Sequence, residues 1–419
     1  MCRPVTALLV ILIASLASLA ATTLPPTRGP RVAIQLGETR PPETALGDTT
    51  LPTAAAVWLA MVDGARREIA LEHFYLSRKP GEALDPVLDA LRRAAARGVK
   101  VRLLLDAGMH RTYPQPADSL ARLPNWSVRF VDYRRLAGGV QHAKFMIVDG
   151  RQAWLGSQNL DWRALSHIHE LGARVELEAV AKAFSDVFET DWRASDTTHT
   201  AAPIATERVR WPVEFSQDGE RGMIWASASP QKLSPRSVLW DRDVLVERID
   251  HAQRELVAQV LSYGTGGHGT TDSTLHRALI AAAARGVQVK LIVSDWVVGG
   301  RGEADLRALA ALPNVQVRIS RVPDWSVGYI PFARVEHCKF MVADGEWLWL
   351  GTSNWEPSYF YSSRNIAVTV YHRPLARRVR RVFETSWNAP SAIVLGPDTK
   401  LERRQHAEAA PDGQKMYGE

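Results

Sequence analysis

The fold class predicted from the sequence is α/β, with two pseudo-symmetric halves that each form a mixed, mostly parallel sheet flanked by helices. A short block of polar residues occurs twice with identical spacing: His142, Lys144, Asp149 and Asn159, then His337, Lys339, Asp344 and Asn354. Outside this block the two copies continue to match, and strand patterns alternate with helix patterns in both. Two copies of one polar block predict a single active site at the interface between the halves.

The same order of elements is expected in each half. Three further stretches match between the halves: 94–103 with 282–291, 123–129 with 312–318, and 188–192 with 383–387. They predict an amphipathic helix, a strand, an alanine- and arginine-rich helix closed by glycine, a second strand and then the strand that carries the polar block. Strands that alternate with helices are typical of a sheet covered by helices.

Five segments are predicted along the chain: a signal peptide at 1–21, an extended N-terminal arm at 22–53, the first half at 54–200, the second half at 201–395 and a mobile tail at 396–419. Arg3 precedes the apolar residues 5–20, a run short for a membrane span. We therefore expect a secreted or periplasmic protein, with an uncleaved anchor as the less favoured alternative. After cleavage Cys338 is the only cysteine, which excludes an intrachain disulfide.

The composition is that of a globular protein with a large core. The chain has 419 residues, of which 46% are hydrophobic and 14 are tryptophan, and this excludes a disordered chain. The formal net charge of +6 is compatible with an anionic substrate but does not identify one.

Strand geometry assigns different tasks to the residues of the block. His142 and Lys144 are two residues apart and share one face of a strand, whereas Asp149 has the opposite parity. We therefore expect the histidine and lysine to be catalytic and the aspartate to be structural. The apolar runs 145–148 and 340–342 favour strands buried on both faces. The second copy repeats this arrangement with His337, Lys339 and Asp344.

The doubled pattern His-x-Lys-x4-Asp, followed by Gly-Ser-x-Asn or its equivalent, resembles the phospholipase D superfamily. This resemblance extends from about Glu68 to Trp387. Residues 159–163, 170–172 and 351–360 are most similar to the lysosomal branch of phospholipase D-like 5′-exonucleases and to the poxviral envelope relatives. The resemblance implies action on single-stranded nucleic acid, with lipid activity also proposed for that branch.

Two histidines, two lysines and two asparagines can surround one phosphodiester. One imidazole attacks phosphorus and the other protonates the leaving oxygen, after which water hydrolyses the phosphohistidine. Lysine and asparagine side chains stabilise the equatorial oxygens, a task that Mg²⁺ often performs in phosphoryl chemistry. No metal or other cofactor is required. The predicted catalytic residues are His142, Lys144, Asn159, Glu170, His337, Lys339, Asn354 and Asn365.

Glu170 and Asn365 enter this set as partners that orient the histidines. The resemblance implies an acidic residue after the first motif, which Glu170 matches, and an equal count from His337 reaches Asn365. We expect His142 to be the nucleophile because Glu170 would offset the charge of its phosphohistidine. A carboxylate also raises the pKa of a histidine and would suit a general acid, so the opposite assignment stays open.

Substrate contacts are predicted for Ser157, Thr352, Trp355, Tyr359 and Phe360. The aromatic residues could stack unpaired bases, lie at a lipid interface or fill the core. Residues 263–274 and 320–334 are expected to be loops at the mouth of the site. The favoured substrate is single-stranded nucleic acid; the alternatives are phospholipid head-group hydrolysis or transfer, with contact to a membrane surface, and a non-catalytic membrane-associated protein.

Overall fold

A computed structural model of the protein describes residues 32–199, 202–267, 269–411 and 413–418. The predicted signal peptide at 1–21 lies outside these residues. Within the described part of the chain, no helix combines the length and the apolar character that crossing a bilayer requires.

The elements of the two halves follow the predicted order. The first half contains β1 (Ile34–Thr39), α1 (Ala54–Asp63), β2 (Glu68–His73), β3 (Leu76–Ser77), α2 (Asp85–Ala96), β4 (Lys100–Asp106), α3 (Ala107–Thr112), α4 (Gln115–Leu120), β5 (Trp126–Val131), α5 (Tyr133–Ala137), β6 (Phe145–Val148), β7 (Gln152–Gly156), β8 (Leu160–Asp161), β9 (Glu170–Val175) and α6 (Glu178–Ala194). The second half contains β10 (Val213–Gln217), β11 (Glu220–Ser229), β12 (Leu239–Trp240), α7 (Asp241–His251), β13 (Glu255–Val260), β14 (Gly266–Gly267), β15 (Thr270–Thr271), α8 (Thr274–Ala284), β16 (Gln288–Ser294), α9 (Arg301–Ala310), β17 (Val315–Ser320), β18 (Phe340–Ala343), β19 (Trp347–Gly351), α10 (Pro357–Tyr361), β20 (Asn365–Tyr371), α11 (Arg373–Trp387) and β21 (Ala392–Val394).

The two sheets contain the same six strands in the same order, which confirms the duplication. The order β9-β7-β6-β2-β4-β5 in the first sheet corresponds to β20-β19-β18-β13-β16-β17 in the second. The mixed α/β class is confirmed, but the expectation of mostly parallel pairs is corrected. In the described part of the first sheet, β2–β4 and β4–β5 are parallel and the other pairs are antiparallel. The physical reason is the short turn at 149–151, because adjacent parallel strands need a long crossover connection.

The segment 22–53, predicted to be an extended arm with little regular structure, contains a strand of the first sheet. Residues Ile34–Thr39 form β1, which pairs antiparallel with β9 and places Thr39 opposite Glu170. The side-chain amide of Gln217 bonds both the N–H and the carbonyl of Ile34, and so fastens this strand to the second half. Polar and proline-rich composition concealed the strand, because its edge position is set by pairing rather than by its own hydrophobic pattern.

A central core joins the halves. Its side chains come from both sheets and from α6 and α11, and include Phe145, Phe184, Phe340 and Phe383. Separate outer clusters lie between each sheet and its outer helices, around Trp154 in the first half and Trp349 in the second. The helix that ends each half therefore packs at the centre of the molecule, and the motif strands of both halves lie in its immediate surroundings.

The C-terminal segment 396–419, expected to be a mobile tail, packs on the body of the protein in its described part. Tyr417 donates a main-chain N–H to the carbonyl of Tyr329, and Tyr329 donates to the carbonyl of Lys415. The carbonyl of Tyr417 accepts from the ammonium of Lys79 in the first half. The segment thus joins the predicted mouth loop at 320–334 to the opposite half.

Candidate active site

Each histidine and lysine predicted to be catalytic lies in a short lead-in segment that precedes a fully buried strand. His142 and Lys144 precede β6, and His337 and Lys339 precede β18; both strands are buried on both faces, as predicted. Burial on both faces leaves each strand in one register, so the lead-in cannot shift without exposing apolar side chains. The histidines and lysines are therefore held at fixed positions relative to the core.

Two short parallel bridges hold the lead-ins together across the halves. The N–H of His142 donates to the carbonyl of Arg364, whose own N–H donates to Val140. The second bridge is equivalent, with the N–H of His337 donating to the carbonyl of His169. Each motif therefore pairs with the segment that precedes β9 or β20 of the other half, and the two sets of predicted catalytic residues meet at one place.

This exchange corrects the predicted partners of the histidines. Nδ1 of His142 lies 3.0 Å from Oδ1 of Asn365, and Nδ1 of His337 lies 2.8 Å from Oε2 of Glu170. Glu170 thus orients the histidine of the second half, and Asn365 that of the first. Counting along one half gave the wrong pairs, because the bridges place each partner beside the motif of the opposite half.

Thr352 fixes the amide of Asn365. Its hydroxyl donates to Oδ1 of Asn365 at 2.9 Å and accepts from the N–H of Ile366. The Nδ2 of Asn365 donates to the carbonyl of Tyr359, so Oδ1 is the atom that faces His142. Ser157 similarly exchanges hydrogen bonds with the backbone of Leu171. Both hydroxyls, predicted to contact substrate, are engaged in joining strands.

The site holds buried positive charge that lacks an equal number of carboxylates. Lys144 and Lys339 are fully buried, and each ammonium donates to the carbonyl of the histidine two residues before it. Burial and the neighbouring Lys339 place the pKa of Lys144 well below its usual value, and burial lowers the pKa of Lys339 to about 8. An anion bound between the lysines would restore their charged forms, as a phosphodiester would.

Burial shifts the pKa of Glu170 upward and the pKa values of His142 and His337 downward. It raises the pKa of Glu170 to about 8, although Lys339 and Ser157 act in the opposite direction. Burial together with Lys339 and Lys144 places the pKa of His337 well below its usual value. His142 is shifted in the same direction by burial, Lys144 and Lys339. Glu170 and His337 therefore share a hydrogen-bonded proton whose position depends on the charge bound in the site.

The two asparagines present polar atoms that lack partners. Both amide atoms of Asn354 and Oδ1 of Asn159 are buried without a hydrogen bond among the described residues. Nδ2 of Asn159 lies 3.4 Å from the hydroxyl of Tyr75. Buried amides left unpaired are costly, and here they suit the oxygens of a bound substrate.

The motif aspartates, predicted to be structural, hydrogen-bond to the backbone at the start of a neighbouring strand. Asp149 accepts hydrogen bonds from three consecutive backbone N–H groups at 66–68, at the start of β2. Asp344 does the same for residues 253–255, at the start of β13. Each carboxylate thereby fixes the turn after a motif strand to the start of the neighbouring strand.

The aromatic residues predicted to contact substrate separate into two groups. The ring of Tyr359 lies 4.8 Å from that of His142 and is partly exposed. Trp355 and Phe360 belong instead to the core of the second half, with exposures of 1% and 3%. Their assignment as substrate contacts is corrected, since α10 turns one face toward the sheet and leaves Tyr359 on the other. Cys338 is also buried in the core, as expected.

Three functional features escaped the sequence analysis. Phe74 and Tyr75 follow β2, and the ring of Phe74 lies 5.3 Å from that of His142. Together with Tyr359 they form an aromatic collar, named here by these three partly exposed residues. The second feature is the buried bidentate pair between Arg364 and Asp191 of the other half. The sequence signal that could have found Arg364 is its position immediately before Asn365. The residue immediately before Glu170 or Asn365 takes part in each bridge between the halves.

The third feature is a buried polar network around His169. Its Nδ1 lies 2.7 Å from Glu336 and its Nε2 lies 2.9 Å from Glu38 of β1. Burial opposes the charged imidazole, but Cys338 and Glu336 raise the pKa of His169 well above its usual value. His169, Glu336 and Cys338 also bring possible metal-ligand atoms within 4.8 Å of one another. Both ring nitrogens already face carboxylates, so hydrogen bonding accounts for this cluster.

Comparisons with known proteins agree with this geometry. A domain family described as "Cardiolipin synthase, PLD-like domain" matches residues 59–192 and 245–387, one copy in each half. The chain is 30% identical over 399 residues to the 5′-3′ exonuclease PLD4 of Mus musculus, covering 84% of this chain and 77% of that protein. It is 29% identical over 362 residues to phospholipase D Z of Dictyostelium discoideum, covering 80% and 84%.

A solved structure shows the same fold. The phosphatidylserine synthase of Haemophilus influenzae has a TM-score of 0.57 with 14% sequence identity, covering 81% of this chain and 85% of that one. Similarity at this level concerns the arrangement of the two halves and not the substrate. Because the family matches in both halves and the doubled histidine and lysine block lies at their interface, the chain belongs to the phospholipase D superfamily of phosphodiesterases.

Proposed function

We propose that the protein is a metal-independent phosphodiesterase that cleaves single-stranded nucleic acid through a covalent phosphohistidine. The observation that carries this proposal is the position of His142 and His337 close to the same two buried lysines. Ammonium groups and unpaired asparagine amides occupy the place of the cation in other phosphoryl-transfer sites. A phosphodiester would supply the negative charge that this site lacks.

His142 is the proposed nucleophile. Oδ1 of Asn365 can only accept a hydrogen bond, so the neutral imidazole carries its proton on Nδ1 and leaves the lone pair of Nε2 free. Attack of Nε2 on phosphorus forms the P–N bond as the ester bond to the leaving oxygen breaks. The charge argument based on Glu170 no longer supports this assignment, because Glu170 faces His337. The assignment now rests on the tautomer of His142, which carries its proton on Nδ1.

His337 is the proposed general acid and then the general base. Its hydrogen bond to Glu170 favours the imidazolium once an anionic substrate is bound. The Nε2 proton passes to the leaving oxygen, and the neutral imidazole then removes a proton from water. The resulting hydroxide attacks phosphorus, the P–N bond breaks, and a phosphomonoester and free His142 are released.

The aromatic collar favours nucleic acid over phospholipid. Phe74, Tyr75 and Tyr359 surround the His142 side of the site with partly exposed rings, which can stack on unpaired bases. The 30% identity to a mouse protein named as a 5′-3′ exonuclease supports the same choice. The identity to a Dictyostelium protein named as a phospholipase D keeps head-group hydrolysis as the second candidate.

A side-by-side turnover assay tests the substrate. The purified protein is given a 5′-hydroxyl oligonucleotide, the same oligonucleotide with a 5′-phosphate, and phospholipid vesicles, with His142→Ala as the control for contaminating activity. Cleavage of the oligonucleotides that is absent from the variant supports the proposal. Hydrolysis of the vesicles alone would replace it with the phospholipase function.

An assay with a small phosphodiester distinguishes a nuclease or a phospholipase from a non-catalytic protein. Bis(p-nitrophenyl) phosphate needs neither base stacking nor a lipid surface, so either phosphodiesterase should hydrolyse it. Failure of the folded protein to turn over this compound would favour a non-catalytic role.

We further propose export from the cytoplasm, because Arg3 and the apolar run 5–20 have the features of a signal peptide. N-terminal sequencing of the protein recovered outside the cytoplasm would locate the cleavage.

A further inference from the structure

An open pocket of about 470 Å³ lies beside His142. Its walls come from the carboxyl ends of β4 and β5 and from α10 of the other half, and they include Asp106, Arg111, Arg134, Gly139, Tyr359 and Ser363. The ring of Tyr359 both lines this pocket and contacts the ring of His142. The volume is within the range of pockets that bind small ligands. The pocket is therefore continuous with the histidine side of the active site.

The charged side chains that line the pocket are two arginines and two aspartates. Arg111 and Arg134 are exposed, and neither guanidinium forms an ion pair within the described part of the chain. The Asp106 carboxylate already accepts hydrogen bonds from the N–H groups of Gly108, Met109 and Gln141. Asp132 caps α5 by accepting from the N–H of Arg135. Two guanidinium groups thus remain available for an anionic ligand, and arginine is well suited to phosphate.

The equivalent place in the second half is filled. Gly139 is three residues before His142 and approaches Ser362 and Ser363 so closely that an added Cβ would lie 2.4 Å from the Ser363 hydroxyl. Its counterpart, three residues before His337, is Arg334. That guanidinium donates to the carbonyls of Pro323 and Pro42, so a hydrogen-bonded arginine stands where the first half has a glycine.

The C-terminal segment packs against residues 322–329 of the second half, near Arg334. Tyr417 packs against Trp325 and His167, with ring centroids 4.7 and 5.9 Å away. The hydroxyl of Tyr329 bonds both the carbonyl and the N–H of Ala407. Arg404 donates to the carbonyl of Val322. The duplicated fold therefore has two related pocket positions, of which the one beside His142 is open.

We propose that the open pocket binds the nucleotide next to the scissile phosphate, with Arg111 and Arg134 contacting the oxygens of that nucleotide's own phosphate. The proposal rests on the proposed action on nucleic acid and adds to it which side of the site holds the chain. Tyr359 links the two positions, because it is the side chain that reaches from the nucleophile to the pocket. In the second half the position that corresponds to Gly139 carries the hydrogen-bonded side chain of Arg334.

Substitution of one pocket arginine tests the proposal, with an adjacent arginine as the matched control. Arg134→Ser removes a lining guanidinium, whereas Arg135→Ser removes an exposed neighbour on the same helix that does not line the pocket. Both proteins are assayed on TpT, which has one phosphate, and on TpTpT, which has two. Bis(p-nitrophenyl) phosphate reports on the chemistry alone.

With Arg134→Ser we expect KM for TpTpT to rise about tenfold, as for loss of one charge-assisted hydrogen bond, while KM for TpT and turnover of the small diester stay unchanged. The salt dependence of TpTpT binding should also weaken by about one phosphate contact. Equal changes with Arg135→Ser, or equal effects on TpT and TpTpT, would overturn the assignment of the pocket. If the unaltered protein hydrolyses vesicles and leaves both oligonucleotides intact, the nucleic-acid function itself fails.

Discussion

Glu170 in the first half and His337 in the second form a hydrogen bond of 2.8 Å across the interface, 167 residues apart in the chain. This contact joins a carboxyl group of high pKa to an imidazole of low pKa inside a site with two buried lysines. The contact at Nδ1 favours the imidazolium of His337, whose Nε2 proton the proposed mechanism delivers to the leaving oxygen. Neither residue can perform this task within its own half.

Activity should decline as pH rises through about 8. Burial raises the pKa of Glu170 to about 8 and lowers the pKa of Lys339 to about 8. Below this value the Glu170–His337 pair keeps its proton and Lys339 keeps its charge, and above it both are lost. We expect a falling alkaline limb in kcat/KM, measured with bis(p-nitrophenyl) phosphate. A Glu170→Gln variant should lower kcat and alter this limb; an unchanged pH profile with unchanged kcat would refute the assigned acid.

Removal of the general base should trap the covalent intermediate on His142. In His337→Asn the breakdown of the phosphohistidine lacks its base, so rapid quenching during turnover should leave phosphate on His142, detectable by peptide mass spectrometry. His142→Ala should lower turnover by at least about 10³-fold, because nucleophile and intermediate are lost together. Phosphate found on His337 in the reciprocal experiment would reverse the two roles.

Tyr359 and Phe360 should respond in opposite ways to truncation. Tyr359→Ala removes a partly exposed ring beside His142, and KM for oligonucleotides should rise about fivefold or more, since a stacked base contributes about 1 to 3 kcal/mol. Phe360→Ala empties a core position and should lower the free energy of unfolding by about 3 to 5 kcal/mol. Denaturant unfolding and steady-state kinetics on the same samples distinguish the two effects. A KM effect for Phe360→Ala without loss of stability would contradict its placement in the core.

The motif aspartates should affect stability rather than chemistry. Asp149→Asn replaces one of the two carboxylate oxygens that accept three backbone N–H groups, at a cost of about 1 to 3 kcal/mol in the free energy of unfolding. Asp344→Asn, in the equivalent turn, is the matched variant. The kcat of the folded fraction should stay within about twofold of the unaltered protein. A large fall in kcat at full stability would assign these residues a catalytic role.

Hydrolysis should persist in excess EDTA. In the proposed mechanism the buried Lys144 and Lys339 neutralise the phosphate, so a chelator removes nothing that this mechanism uses. The measurement is the rate on an oligonucleotide before and after chelation, with a metal-dependent nuclease as the positive control for the chelator. Loss of activity that Mg²⁺ or Zn²⁺ restores would show that the lysines are not sufficient.

Much of the fold was predictable because the duplication appears in the sequence itself. The positions two apart in His142 and Lys144, and the apolar runs after them, predicted a buried strand with both side chains entering the site. Parity along the strand separated Asp149 from the two other residues, although the structure places Asp149 in the turn that follows β6. These inferences depend on local geometry, which a sequence pattern reports directly.

The remaining features depend on contacts between distant segments. Glu170 and Asn365 were assigned to the wrong histidines because spacing within one half does not reveal a bridge to the other. Arg364 and His169 looked like ordinary polar residues, although each is buried with a charged partner from another segment. Phe360 was predicted to contact substrate because it belongs to an aromatic cluster after the second motif, and the rotation of about 100° per residue in a helix places it on a different face from Tyr359.

The exchange of histidine partners also sets the time at which the enzyme becomes active during its synthesis. His142 leaves the ribosome 223 residues before Asn365, the side chain that orients it. A nascent chain that has folded only its first half holds His142 without an acceptor and Glu170 without a histidine. The two histidines therefore gain their orienting partners only when both halves have formed, and an unfinished chain lacks the complete site.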